Sequence, residues 1–402
     1  MHGNIIPPYV RAFLLGLILW VALVHVSGFF AAHVESDEQV YMALSQKLSW
    51  SLDHYTTRDV RGLNQFSIRV YREPLFYHPP LFPMIIAGLA HFGGRIEMTL
   101  GFNLFLQCSI ILLVFYGVHA LSKDLGAAMT AAWLPAVCPI LTYSSMKVHM
   151  DILVGFLCLV CTLCLAGAGL RKSWPMLFGG AIAFGLALTT KLTLVAIVPF
   201  YAIAVWITLD GFQLSLRKKM GGFLFLLVIP LALFAPYLAK YLQTYGFLSP
   251  SELLVHTGTP SPFLQRIMAR TRPEYAVSLA LLVPALLTPL ITPCRQAYIA
   301  LFREWPELKG PAIITVGNIA VCWFFRDKME RYWALALPSF YFYVGLMVSR
   351  LPKSVRLNLA PIFFFLTLTQ LASVYARMFQ PTMDLILPGP LLMLSSWLDR
   401  YF

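Results

Sequence analysis

Long apolar runs, separated by short charged connectors, constrain this chain more than any other feature. A helix needs about 20 apolar residues to cross the hydrocarbon core of a bilayer. Inside the core every backbone N–H and C=O must find its partner within the structure, which leaves helices or closed barrels. The runs here show no period-two alternation, so helices are expected. Composition agrees: of 402 residues, 59% are hydrophobic and 12% charged, with a mean hydropathy of +0.72. Soluble domains carry about 45–50% apolar and about 25% charged residues. A disordered, fibrous or ordinary soluble chain is excluded. The expected fold is an all-α polytopic membrane protein, one unit over 1–402.

Spans are placed by requiring basic residues to gather on the cytoplasmic side. They fall near 12–32, 99–121, 127–145, 152–170, 175–190, 192–209, 220–239, 276–293, 311–325, 332–349 and 358–376. That makes eleven, with the amino terminus inside and the carboxyl terminus outside. The first run ends in FFAAHVES without an obvious cleavage site, so it is read as a span and not a signal peptide. Residues 78–92, HPPLFPMIIAGLAHF, are apolar but too few to cross, and they open with Pro79-Pro80. They predict an amphipathic helix along the outer interface.

Charge tests the topology. Thirteen basic and four acidic residues fall in the cytoplasmic connectors, against seventeen and fourteen outside. The net +12 is therefore mainly an orientation signal, and nucleic-acid binding is a poor explanation of it. The scarce acids concentrate outside, seven of them in the loop 33–98: Glu35, Asp37, Glu38, Asp53, Asp59, Glu73 and Glu97. That loop is the expected first outer catalytic loop. All seven cysteines lie in or beside expected spans. Even CLVCTLC at 158–164 reads as small hydrophobes on an apolar helix before it reads as a metal or redox motif. No GxxxxGK[ST], HExxH or GxSxG string occurs.

Five strings carry polar chemistry to one face. ESDEQVY, 35–41, puts Asp37 and Glu38 just after the first span. Partial desolvation there raises a carboxylate's basicity toward a hydroxyl proton, while a solvated acid pair starting a helix is the plainer reading. REPLFYHPPLFP, 72–83, sets Arg72 and His78 beside proline-stiffened backbone, either to grasp a phosphate or as an ordinary loop. KVHMD, 147–151, opens an apolar span with Asp151, which is costly if uncompensated and is open to both helix capping and catalysis. GLALTTK, 185–191, places Lys191 at an outer boundary, to snorkel or to meet a phosphate headgroup. FRDKMERYWALALPSF, 325–340, gathers Arg326, Lys328 and Arg331 outside, against the positive-inside trend. An outer anion or neutralisation by Asp327 and Glu330 explains them.

The order of these strings resembles the GT-C superfamily of polyprenyl-phosphate-sugar-dependent glycosyltransferases. Protein O-mannosyltransferases and lipid A aminoarabinose transferases are its most similar branches. An Asp-Glu pair with a nearby Tyr, HPPL, an Asp opening a span, GLAxxxK and ERYWALALP (330–338) follow in order across roughly 1–340. The resemblance implies an inverting transfer on the outer face, from a sugar on dolichyl or undecaprenyl phosphate to a hydroxyl of a lipid, glycan or protein. It implies Asp37 as general base or acceptor-positioning group, with Glu38 beside it, and Asp151 as the second-loop acid arranging the acceptor or a metal. Lys191, Arg331 and Arg326 are implied near the donor phosphate, with Arg72 and His78 as first-loop contacts. Tyr41, Tyr77, His149 and Tyr332 are expected to line the acceptor and sugar pocket. No cofactor is announced, and a divalent cation stays open because no compact acidic triad appears. No soluble domain follows the last expected span, so acceptor recognition is expected to fall to the outer loops or a partner subunit. The expected setting is a bacterial inner membrane with the site facing the periplasm. Two alternatives stand beside this: a non-catalytic subunit of a membrane glycosyltransferase, and a lipid or sugar transporter, which would call for ionisable groups at mid-membrane depth and internal repeats.

Overall fold

The computed structural model describes residues 6–31, 36–48, 52, 55–56, 76, 78–246, 284–324 and 330–356. Helices build it, with no strand among the described residues. In chain order they are α1 (Pro8–Ala31), α2 (Ser36–Lys47), α3 (Leu81–Leu89), α4 (Arg95–Ser122), α5 (Leu125–Val137), α6 (Pro139–Ser145) and α7 (Asp151–Arg171). There follow α8 (Trp174–Leu188), α9 (Val198–Asp210), α10 (Leu216–Tyr245), α11 (Thr292–Glu304), α12 (Lys309–Phe324) and α13 (Leu337–Arg350). Short 3-10 turns cover Leu192–Ile197, Pro284–Leu290, Pro306–Leu308 and Glu330–Leu335.

Five helical stretches are long and apolar enough to cross a membrane, and a sixth if the bent pair α5–α6 counts as one span. α4 alone, with 28 residues, reaches about 42 Å at 1.5 Å per residue. The protein is a multi-pass membrane protein, and its surface shows it. Leu15, Leu19 and Leu23 form an exposed ridge along α1, and Leu224, Val228 and Leu231 another along α10. Such stripes suit lipid, which is as apolar as leucine. α7 is the hub, packing against α4, α6, α8, α9, α12 and α13. Its neighbours come close through small residues. Ala127, Ala128, Ala131 and Ala132 of α5 are fully buried against α4 and α13.

Where the helices depart from the expected spans, proline or a polar side chain gives the reason. The expected span 127–145 is two helices at 54°. Cys138 precedes Pro139 and takes an extended conformation (φ −69°, ψ 117°), as a residue before proline is pushed to do. The expected span 192–209 starts as a 3-10 turn after an extended Lys191 (φ −145°, ψ 115°). Both Thr189 and Thr190 turn their hydroxyls back onto the Leu186 carbonyl, at 2.9 and 2.7 Å, which ends α8 there. Of the expected span 276–293, residues 276–283 lie outside the described residues. The rest is a proline-punctuated 3-10 turn leading into α11, which was expected to be a connector. α11 buries Cys294, Ala297 and Leu301 and exposes its other face. The short amphipathic helix expected within 78–92 is α3. The expected span 358–376 lies outside the described residues, as do residues 57–75 of the first outer loop.

Candidate active site

All five strings singled out above send residues to one end of the bundle. The loop 146–150, between α6 and α7, is the meeting point. Nζ of Lys191 donates to Oδ1 of Asp151, and both side chains are only about 4% exposed. Asp151 opens α7, but the cap position is Met150 and no side-chain cap bond forms there. The Asp151 carboxylate, in the first turn of α7, is thus turned to Lys191. Lys191 does not snorkel to water. The break after Thr190 turns its side chain inward, where the ammonium also sits 4.0 Å from the ring centre of Tyr332. Tyr332 belongs to the 3-10 turn Glu330–Leu335, and that turn lies against α7 because residue 155 is glycine. A Cβ there would stand 2.2 Å from the Ala334 carbonyl oxygen. The Tyr332 carbonyl is held by the Cys322 thiol of α12 at 3.2 Å.

The first-loop acids reach the same loop. Asp37 and Glu38 are the second and third residues of α2. Glu38 is buried, and its Oε1 accepts the Val148 N–H at 2.6 Å. It is therefore no solvated helix cap, but a tie between the first outer segment and the loop before Asp151. His149, two residues before Asp151, is buried, and its carbonyl faces the Asn103 amide of α4 at 3.5 Å. The HPPL string arrives from the other side. The Leu81 N–H donates to the Thr189 carbonyl at 3.2 Å, so α3 begins two residues from Lys191. His78 packs edge-on against Tyr41, centroids 5.1 Å apart, and Tyr41 packs likewise against Phe82 at 5.5 Å. Tyr55 donates to the His78 carbonyl at 2.7 Å.

The structure thus brings together Glu38, Tyr41, His78, His149, Asp151, Lys191 and Tyr332, with Asp37 placed by its backbone beside Glu38. Arg331 is likewise placed by its backbone, next to Tyr332 in the 3-10 turn. Arg72, Tyr77 and Arg326 lie outside the described residues. Among the described residues no three His, Cys, Asp or Glu side chains come together as a metal cage. Three functional candidates escape charge-based reading because they are not charged acids or bases of the outer loops: His25, Asn103 and Gln107. The signal was present in NLFLQ, two amides one turn apart inside an apolar run.

A helical membrane bundle with a buried carboxylate–ammonium pair at one end places the chain in a fold class. It is the GT-C fold. Within that class, residues 77–239 match the family model described as dolichyl-phosphate-mannose-protein mannosyltransferase. Over 92% of its length the chain is similar in structure to ArnT from Cupriavidus metallidurans bound to undecaprenyl phosphate, with a TM-score of 0.54 and 15% identity, covering 66% of ArnT. Against apo ArnT the TM-score is 0.55, with 13% identity and 92% and 65% covered. The apo oligosaccharyltransferase of Archaeoglobus fulgidus gives 0.55, with 12% identity, 92% of this chain and 56% of that enzyme. The chain thus spans about two thirds or less of the length of these structures. No curated protein matches it by sequence.

Proposed function

We propose that this protein is a glycosyltransferase that moves a sugar from a polyprenyl-phosphate carrier, undecaprenyl or dolichyl, to a hydroxyl acceptor, with inversion. The observation that carries the reading is the buried Asp151–Lys191 pair, with Tyr332 over the ammonium and the Asp37-Glu38 helix tied to the same loop. The ArnT structure with the same fold is described as bound to undecaprenyl phosphate, and residues 77–239 resemble a family named for its dolichyl-phosphate-mannose donor.

The chemistry needs two things. Attack at the anomeric carbon requires a base for the incoming hydroxyl, and departure of the phosphate requires cations where negative charge develops. Asp37, the second residue of α2, takes the hydroxyl proton. The acceptor oxygen bonds to the anomeric carbon from the face opposite the phosphate. The carbon–oxygen bond to phosphate breaks, and the polyprenyl phosphate leaves with the electron pair. Lys191 and Arg331 stabilise that phosphate, assisted by His78, Arg72 and Arg326. Asp151 sets the orientation of Lys191, Glu38 sets the loop carrying Asp151, and Tyr41, Tyr77, His149 and Tyr332 shape the sugar and acceptor pocket. The site faces the exterior, the periplasm of a bacterial inner membrane, with the polyprenyl tail lying among the helices. Purified full-length chain in nanodiscs, offered polyprenyl-phosphate donors carrying mannose, glucose or aminoarabinose, tests this. Asp37→Asn, Asp151→Asn and Lys191→Met should each lower release of polyprenyl phosphate at least a hundredfold. Undiminished turnover in both aspartate variants would sink the assignment.

A further inference from the structure

Beneath the proposed site lies a polar network that the reaction itself does not use. Pro139 has no N–H, so the helical partner of the Pro135 carbonyl is missing, and an orphan carbonyl inside a membrane is costly. Gln107 of α4 supplies the donor. Its Nε2 lies 3.3 Å from the Pro135 carbonyl and 3.3 Å from the Thr142 hydroxyl. Its Oε1 then faces two donors, Nε2 of His25 at 3.1 Å and the Ser145 hydroxyl at 2.6 Å. Because that oxygen can only accept, Nε2 of His25 carries the proton. The same Nε2 is 2.7 Å from the Ser145 oxygen. One turn up α4, on the same face, Nδ2 of Asn103 donates to the Lys147 carbonyl at 2.7 Å. A single helix therefore holds both the α5–α6 break and the loop that follows it.

We infer that His25, Asn103, Gln107 and Ser145 are positioning residues: they hold the α5–α6 break open, and so aim the loop 146–150 and Asp151 at Lys191. The inference rests on the glycosyl transfer proposed above, but its geometry does not. A purely structural network would only make good the missing N–H of Pro139. A positioning network makes the bend itself necessary, and the two separate when the N–H is given back. Pro139→Ala restores a backbone donor to the Pro135 carbonyl and lets α5 run on into α6.

The experiment uses full-length chain in nanodiscs, with undecaprenyl phosphate alone as the binding probe and amide hydrogen exchange over 131–150 as a second readout. Pro139→Ala should raise the midpoint of thermal unfolding, yet weaken undecaprenyl phosphate binding at least tenfold. Gln107→Leu should speed exchange across 146–150 at least tenfold and weaken binding similarly. His25→Gln, which keeps a donor at the same reach, should retain binding within threefold, whereas His25→Leu should not. Where Gln107→Leu does not accumulate, Ser145→Ala carries the same test, with about threefold changes. A stabilised Pro139→Ala protein that binds within twofold of wild type would overturn the inference. So would faster exchange in Gln107→Leu confined to 131–139. If the wild-type chain binds no undecaprenyl phosphate, the proposed function fails. The exchange readout still decides the positioning role by itself.

Discussion

The two ends of the bundle treat opposite charges in opposite ways. At one end the Asp151–Lys191 pair is sealed, each side chain about 4% exposed. At the other end, Arg350 meets Glu304 with 26% and 51% exposure, and Arg356 meets Asp124 with 29% and 27%. Lys219, buried and 3.5 Å over the Trp206 ring, reaches the exposed Asp210. Pairs left in water cost little to form and contribute little. A pair taken out of water repays its desolvation only with good geometry, and apolar residues of the same volume often do as well or better. The open end reads as topology and helix capping. The sealed pair is a poor way to stabilise a fold, and its presence beside Glu38, His149 and Tyr332 points to use.

The sharpest way to break the contrast is to remove one sealed partner. Lys191→Met leaves the Asp151 carboxylate buried without its ammonium, and breaking such a pair typically costs about 3–5 kcal/mol. Chemical unfolding in micelles should show that loss. The double variant Lys191→Met with Asp151→Leu should recover most of the stability and none of the transfer activity. If the double variant were as unstable as the single one, the pair would be a stability element after all, and the contrast between the two ends would collapse.

Next in size is the packing that sets Tyr332 over the ammonium. Gly155→Ala places a methyl where the Ala334 carbonyl already lies. Overpacking of this kind costs about 1–3 kcal/mol, and the 3-10 turn must move away from α7. The expected result is a lower melting midpoint together with weaker undecaprenyl phosphate binding. Loss of stability with unchanged binding would separate Tyr332 from the site.

At the open end Asp124 provides a pH test. Burial works to raise its carboxyl, but the Ala127 N–H, the Arg356 guanidinium and the Gly126 N–H together outweigh that and hold it below the ordinary carboxylate range. A group depressed in the folded state contributes stability above its unfolded value, about 3.9, and loses it as pH falls through the folded one. Asp124 also caps α5 by accepting from the Ala127 N–H at 3.0 Å, and such caps are worth about 1 kcal/mol. Asp124→Ala should melt below wild type by a constant margin from pH 5 to 8. The margin should narrow only below about pH 4. A margin already closing near pH 6 would contradict the depressed carboxyl.

Much of the fold was legible because hydrophobic run length is a strong signal: α1, α4, α7 and α10 lie where apolar runs demanded them. The convergence of ESDEQVY, HPPL, KVHMD and GLALTTK was legible through motif order. How they meet was not. The Leu81–Thr189 and Glu38–Val148 bonds join residues 108 and 110 positions apart, and no local pattern encodes such pairings. The bend at Cys138 was written in Pro139 but was overridden by the apolar continuity of 127–145. α11 was missed because its buried face is only Cys294, Ala297 and Leu301, too narrow to stand out among polar neighbours. His25 and Gln107 carry no formal charge to mark them in the sequence, yet a membrane interior penalises any unpaired polar group.

The smallest expected effect completes the contrast. Glu304 is half exposed and 2.6 Å from Arg350, whose guanidinium also lies 4.3 Å from the Trp305 ring centre. In water the Coulomb gain of such a pair is offset by side-chain entropy and screened by salt. Glu304→Gln should therefore change stability by no more than about 0.5 kcal/mol, and by less in high salt. Arg350→Ala should cost more than Glu304→Gln, because it also removes the stem and guanidinium packed on Trp305. Should Glu304→Gln cost as much as Lys191→Met, solvent exposure would not be what distinguishes the two ends. The sealed pair would then lose its special standing.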